Sequence, residues 1–160
     1  MTLSSTTRSP IEILLVEDDP DDLELALHAI DASPVTDRVK VIRDGAAALD
    51  FMFGRGQYAR RREADHPRVV LLDLKLPKVD GFSVLEELKS DPQTRQTPVV
   101  VLSSSQETAD IERCYHLGAN SYIVKPVDFE QFTEALQLLE YYWLLLNEIP
   151  TQARWAESYE

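Results

Sequence analysis

The chain has 160 residues, of which 44% are hydrophobic and 28% charged, and a formal net charge of −12. That size and apolar content suit one domain with a real core and exclude a largely disordered chain. The acidic balance repels nucleic-acid phosphates and anionic lipid surfaces, and the single cysteine, Cys114, excludes an internal disulfide, as a reducing cytosol expects.

Residues 1–10 are polar, rich in Ser and Thr, and read as a loose N-terminal arm without the apolar stretch of a signal peptide. Ile11 to Val16 is a short apolar run, the mark of a strand buried on both faces. Asp19-Pro20-Asp21-Asp22 predicts a helix start: Asp19 caps, Pro20 takes the first helical position, and the acids suit the positive helix end. Leu23, Ala26, Leu27 and Ile30 follow at helical spacing, and Ser33-Pro34 ends the helix. Val39 to Ile42 is the second strand. Asp44-Gly45 turns the chain, and Ala46 to Phe53 is the second helix. Gly54 to Pro67 reads as a long loop, with Arg60-Arg61-Arg62 as a solvated face.

Val69 to Leu72 is the third strand and stops at Asp73. After a loop through Leu76-Pro77 and Asp80-Gly81, Phe82, Leu85 and Leu88 mark one helix face. Pro92 to Pro98 connects to the fourth strand, Val99 to Leu102, which ends at Ser103. Thr108 to Leu117 is a helix, closed by Gly118, the favoured residue after a helix C-terminus. Ser121 to Val124 is the fifth strand, ending at Lys125, and the last helix runs from Phe129 to about Leu146. The run Tyr141 to Leu146 is too short to span a bilayer, so a soluble, cytoplasmic protein is expected. His28, His66 and His116 are far apart, which argues against a zinc site.

Strands that alternate with helices form a parallel sheet covered on both faces, so the fold class is a doubly wound α/β sheet. Ligands of such sheets bind outside the C-terminal ends of the strands. Glu17 and Asp18 end the first strand, Asp73 the third, Ser103 the fourth and Lys125 the fifth. Each alone is as well explained by a cap or a turn. Together they gather carboxylates, a hydroxyl and an ammonium at one rim. Clustered carboxylates repel unless a cation joins them, and an oxygen donor set without thiolates suits Mg²⁺. A carboxylate nucleophile, a metal, a cation and a hydroxyl describe phosphoryl transfer onto an aspartate.

Leu15-Val16-Glu17-Asp18-Asp19, Leu72-Asp73-Leu74-Lys75-Leu76-Pro77, Asp80-Gly81, Leu102-Ser103-Ser104 and Val124-Lys125-Pro126 resemble the receiver domain of two-component response regulators. The resemblance covers about Ile11 to Leu146, and residues 11–149 are expected to form one receiver domain, with 150–160 as a C-terminal tail. It implies a flavodoxin-like sheet of strand order 2-1-3-4-5 and no enzymatic activity beyond self-catalysed phosphotransfer and dephosphorylation, and with so little sequence after the receiver no output domain is expected. Asp73 would be the phosphoacceptor. Glu17, Asp18, Asp73 and the backbone carbonyl of Lys75 would hold Mg²⁺. Ser103 and Tyr122 would be the switch pair, and Lys125 would contact the phosphoryl group. The resemblance also implies a cis peptide at Lys125-Pro126. Asn120-Ser121-Tyr122, the long loop before strand three, and a last helix with Tyr142-Trp143 closing at Ile149-Pro150 look like the small regulators paired with bacterial phytochromes. The implied partners are a phytochrome histidine kinase and a downstream phosphotransfer protein.

Three residues depart from the common pattern. Glu17 replaces Asp and is one methylene longer, Lys75 brings an ammonium that can lean over the phosphoryl site, and Ser103 keeps the usual hydroxyl without its methyl group. An aspartyl-phosphate hydrolase would need an acid–base Asp where Lys75 stands. A module that never takes phosphate would usually lack one of the rim residues, and all are present. A nucleotide or flavin carrier is unsupported by any Gly-rich phosphate loop.

The last helix carries two apolar stripes. Phe129, Phe132, Leu136, Leu139, Trp143 and Leu146 suit the core. Ala135, Leu138, Tyr142, Leu145 and Ile149 lie beside them, and so much apolar surface is costly to leave wet. A homodimer is expected, paired through Leu138, Tyr142, Leu145 and Ile149, with Trp155 and Tyr159 of the tail reaching across.

Overall fold

A computed structural model describes residues 11–31, 38–62 and 65–150 of the chain. The arm 1–10, the Ser33-Pro34 break, and the tail with Trp155 and Tyr159 lie outside the described residues. Five strands form one parallel sheet: β1 (Ile13–Val16), β2 (Val39–Ile42), β3 (Val69–Leu72), β4 (Val99–Ser103) and β5 (Ser121–Val124), in the order β2-β1-β3-β4-β5. The helices are α1 (Pro20–Asp31), α2 (Gly45–Phe53), α3 (Gly81–Ser90), α4 (Thr108–Leu117) and α5 (Phe129–Glu140). The expected doubly wound order is therefore the observed one.

Alternation along the strands divides the core into two layers. Leu14, Val16, Val70, Leu72, Val99 and Val101 meet α2, α3 and α4 through Leu49, Met52, Val84, Leu85, Leu88 and Cys114. Ile13, Leu15, Val69, Leu71, Val100 and Leu102 meet α1 and α5 through Ala26, Ala29, Ile30, Phe132, Leu136 and Leu139. Because both faces are covered, the strands carry nearly continuous Val, Ile and Leu. Removing the side chain of Leu85, which is fully buried, would cost about 2–5 kcal/mol.

The register aligns the strand ends. Val16 lies opposite Ile42 and Leu72, and Ser103 opposite Val124. The ladder continues one step past the strands, with Asp73 N–H donating to Val16 O at 3.1 Å and Lys125 N–H donating to Ser103 O at 2.7 Å. The residues just beyond each strand thus form one rim.

Several expectations need correction. β1 begins at Ile13, because the N–H of Ile11 turns to the Asp65 carboxylate instead of a neighbouring strand. The Arg60-Arg61-Arg62 run is not simply a solvated face. Arg61 donates to the carbonyls of Phe51 and Met52, closing the C-terminal end of α2, and Arg62 pairs with buried Asp65 at 3.0 Å. The peptide before Pro126 is trans, the ordinary preference even before proline. α5 ends at Glu140, and Tyr141–Leu146 form a π-helical turn, with Asn147 N–H donating to Tyr142 O at 2.7 Å. The wider turn shifts the helical phase, so Leu144 is buried while Leu146 faces solvent. Phe129, assigned to the core stripe, is exposed and packs against the His28 ring at 5.5 Å.

Candidate functional site: an acidic rim around Lys125

Asp73 ends β3 and is buried. Its Oδ1 accepts from the N–H of Leu74 at 2.8 Å, which fixes the carboxylate against its own backbone. The loop that follows is held close by Gly81, whose N–H donates to Leu74 O at 2.9 Å. A Cβ at Gly81 would lie 2.3 Å from Asp73 O and 2.5 Å from Leu74 Cα, so only glycine permits this approach. Asp80 caps α3 by accepting from Ser83 N–H at 2.9 Å. The Asp80-Gly81 pair is thus a cap and a close contact behind the Asp73 carboxylate.

Lys125 reaches across from β5. Its Nζ lies 2.7 Å from Glu17 Oε1, 2.7 Å from Asp22 Oδ2 and 3.7 Å from Asp73 Oδ2. Burial alone would lower the Lys125 pKa, but the hydrogen bonds it donates to Asp22 and Glu17 and the charge of Asp73 outweigh it, and the pKa is raised. Glu17 is buried, and burial pushes its carboxyl up to about 7. Lys125 pulls it down, and the nearby Asp73 charge adds to the rise.

That donor set fits a hard divalent cation: two buried carboxylates at adjoining strand ends, Glu17 and Asp73, supply oxygen donors and no thiolate. Asp18, next along the chain, is exposed, as is the side chain of Lys75. Among the described residues no three acidic, histidine or cysteine side chains group into a ready metal cage. Of the three carboxylates expected to cluster, Glu17 and Asp73 do, and they share the Lys125 ammonium with Asp22, while Asp18 is exposed.

Ser103 is buried at the end of β4, and its Oγ accepts from Ser105 N–H at 3.1 Å. Tyr122 is half-buried, and its hydroxyl donates to Ser105 O at 2.9 Å. Ser105 Oγ in turn donates to Asp110 Oδ2 on α4 at 2.6 Å. Ser103 and Tyr122 therefore meet at one residue, Ser105. Asn120 braces the base of β5, accepting at its Oδ1 from Val99 N–H at 2.9 Å and from Lys89 Nζ at 2.8 Å. Asp22, expected only as a helix-start acid, and Ser105 carry contacts that the sequence does not mark.

A five-stranded sheet of order 2-1-3-4-5 with a buried Asp at the β3 rim, a Lys after β5 and a hydroxyl at the end of β4 is the receiver architecture of two-component signalling. Residues 13–137 match the model of the response regulator receiver domain, and the chain belongs to that family. It is 41% identical over 147 residues to the probable methanogenesis regulatory protein FilR2 of Methanothrix harundinacea, covering 90% of each chain. It is 34% identical over 148 residues to the response regulator Rcp1 of Synechocystis sp., covering 92% of this chain and 99% of that one. Among solved structures it is similar to the phosphorylated cyanobacterial phytochrome response regulator RcpA, with TM-score 0.82, 39% identity, and coverage of 89% of this chain and 99% of that one. It also resembles the bacteriophytochrome response regulator AtBRR, with TM-score 0.70, 50% identity, and coverage of 88% and 100%. A solved structure of Rcp1 is of its Mn²⁺-bound form, with TM-score 0.81, 35% identity, and coverage of 89% and 100%.

Proposed function

We propose that Asp73 accepts a phosphoryl group from the phosphohistidine of a histidine kinase, and that the kinase is a bacterial phytochrome. A carboxylate oxygen of Asp73 attacks phosphorus in line with the leaving imidazole nitrogen. The O–P bond forms as the N–P bond breaks, and the imidazole takes up a proton. The observation that carries this reading is the Lys125 ammonium, buried and 3.7 Å from Asp73 Oδ2, where it can move onto a phosphoryl oxygen. Mg²⁺ on Glu17, Asp18, Asp73 and the Lys75 carbonyl would supply further charge neutralisation. Leu74 N–H keeps the other Asp73 oxygen in place. Ser103, once it releases Ser105 N–H, donates its hydroxyl to the phosphoryl group, and Tyr122 shares the change through Ser105.

The phytochrome partner is supported by the likeness to RcpA, Rcp1 and AtBRR, whose names describe response regulators, two of them phytochrome-linked. Output passes through protein contacts or a phosphotransfer protein, and the chain has no enzymatic role beyond its own phosphorylation and dephosphorylation. A homodimer forms through Leu138, Tyr142, Leu145 and Ile149. This rests on the exposure of Leu138, Tyr142 and Leu145, joined by Tyr141 and Leu146 once the π-helical turn rotates them outward. Burying such surface stabilises by about 25 cal/mol per Å².

Incubation with acetyl phosphate and Mg²⁺, read by intact mass, tests the central assignment. One phosphoryl adduct is expected, absent in Asp73→Asn and lost with EDTA. Equal labelling of the Asn variant would remove the assignment.

A further inference from the structure

An ammonium has three N–H donors. At Lys125 two are engaged at 2.7 Å, by Glu17 Oε1 and Asp22 Oδ2, while the Asp73 oxygen at 3.7 Å is beyond hydrogen-bond reach. The Glu17 and Asp73 side chains are 4% and 10% exposed and that of Asp22 is 35% exposed, so Asp22 is the outer partner on the solvent side. Its place is set by the fold. Asp19 Oδ1 accepts from the N–H groups of both Asp21 and Asp22, which fixes the first turn of α1, and Ala26, Ala29 and Ile30 lock that helix to the sheet. A general preference for acids at a helix start would be met equally by Asp21, which is exposed. Asp22 instead meets an amine 103 residues further along the chain.

We propose that Asp22 is a positioning residue for Lys125, holding the ammonium at the outer lip of the site so that Glu17 is free to take a divalent cation. The proposal rests on the phosphoacceptor reading above. Its basis is charge competition. Lys125 and a metal ion are both positive and both need Glu17, which is buried with the ammonium already 2.7 Å from its Oε1. A carboxylate outside the metal set gives the amine a partner when the metal takes Glu17, and keeps it one short swing from Asp73. Without Asp22, the remaining partners of Lys125 are Glu17 and Asp73, the same two carboxylates the cation requires.

Mg²⁺ titrations by calorimetry on the full chain test this in wild type, Asp22→Asn, Asp22→Glu, Lys125→Met and the Asp22→Asn, Lys125→Met double variant. Asp22→Asn should weaken Mg²⁺ binding by about fivefold, a typical coupling between touching residues. Asp22→Glu should restore it, and Lys125→Met should bind more tightly than wild type. With Lys125 removed, Asp22→Asn should change the affinity less than about twofold, since no amine is left to redirect. Asp22→Ser repeats the comparison if the Asn variant fails to fold by circular dichroism. Equal losses with and without Lys125 would reduce Asp22 to a distant charge attracting the metal and overturn the proposal, as would an unchanged affinity in Asp22→Asn. Failure of the phosphoacceptor reading shows separately, as wild type that binds Mg²⁺ yet forms no acyl phosphate at Asp73.

Discussion

Titrating Glu17 should control metal binding across neutral pH. In the folded chain burial and the Asp73 charge hold its pKa at about 7, against 4.5 for an ordinary glutamate. Between those values the folded chain keeps a proton that the unfolded chain has released. The stability contributed by protonated Glu17 is therefore complete below pH 4.5 and lost as pH rises through about 7, and it amounts to about 3 kcal/mol at most. A metal binds the ionised form, so binding must expel this proton. Ionisation of one such group from pH 6 to pH 8 raises the apparent Mg²⁺ affinity about tenfold. Calorimetry in two buffers of different ionisation enthalpy should show proton release at pH 6 and little at pH 8. In Glu17→Gln the affinity should be lower and its pH profile flat. A wild-type profile already flat between pH 6 and pH 8 would refute the reasoning, because Glu17 would then be ionised before the metal arrives.

Other predictions follow from single contacts. His66 is held down to about pH 4 by burial and the Arg61 charge, with Thr97 Oγ1 at 2.6 Å from its Nε2. Its stability contribution is present above pH 6.5 and lost as pH falls through about 4, opposing that of Glu17, so ring-proton NMR should find it neutral at pH 5 even where the melting temperature barely moves. His66 titrating near 6.5 would contradict its burial. Gly81→Ala drives a methyl group into the backbone of Asp73 and Leu74; thermal unfolding should show a loss of about 1–3 kcal/mol together with slower labelling of Asp73. Unchanged stability and labelling would mean the loop has room to yield. The parent chain should scatter light as a dimer at tens of micromolar, and Tyr142→Glu with Leu145→Glu should make it monomeric and folded. A monomeric parent, or a folded variant that stays dimeric, would sink the dimer.

What the sequence made legible follows from its physics. Strands buried on both faces leave short continuous apolar runs, and four of the five strands start where those runs predicted. Parallel topology then put Glu17, Asp73, Ser103 and Lys125 on one rim without any knowledge of distances. The Asp19 cap and the Gly118 ending were readable because caps are local. Asp22 was not legible, since its role exists only where the first turn of α1 comes within 2.7 Å of a lysine that follows the edge strand β5. Ser105 was hidden for the same reason, its partners being Asp110 and Tyr122. The π-helical turn could not be read because Tyr141 to Leu146 are apolar at every position, so no period marks the change of phase. Arg61 looked solvated because a sequence does not show that the chain folds back over the carbonyls at the end of α2.

The most direct test of Asp73 as the phosphoacceptor is borohydride trapping. The chain is treated with acetyl phosphate and Mg²⁺, reduced so that any acyl phosphate becomes an alcohol, digested, and mapped by tandem mass spectrometry. The account predicts homoserine at position 73 and nowhere else. Homoserine at Asp18 or Asp22, or a chain with no reducible acyl phosphate at position 73, would contradict it.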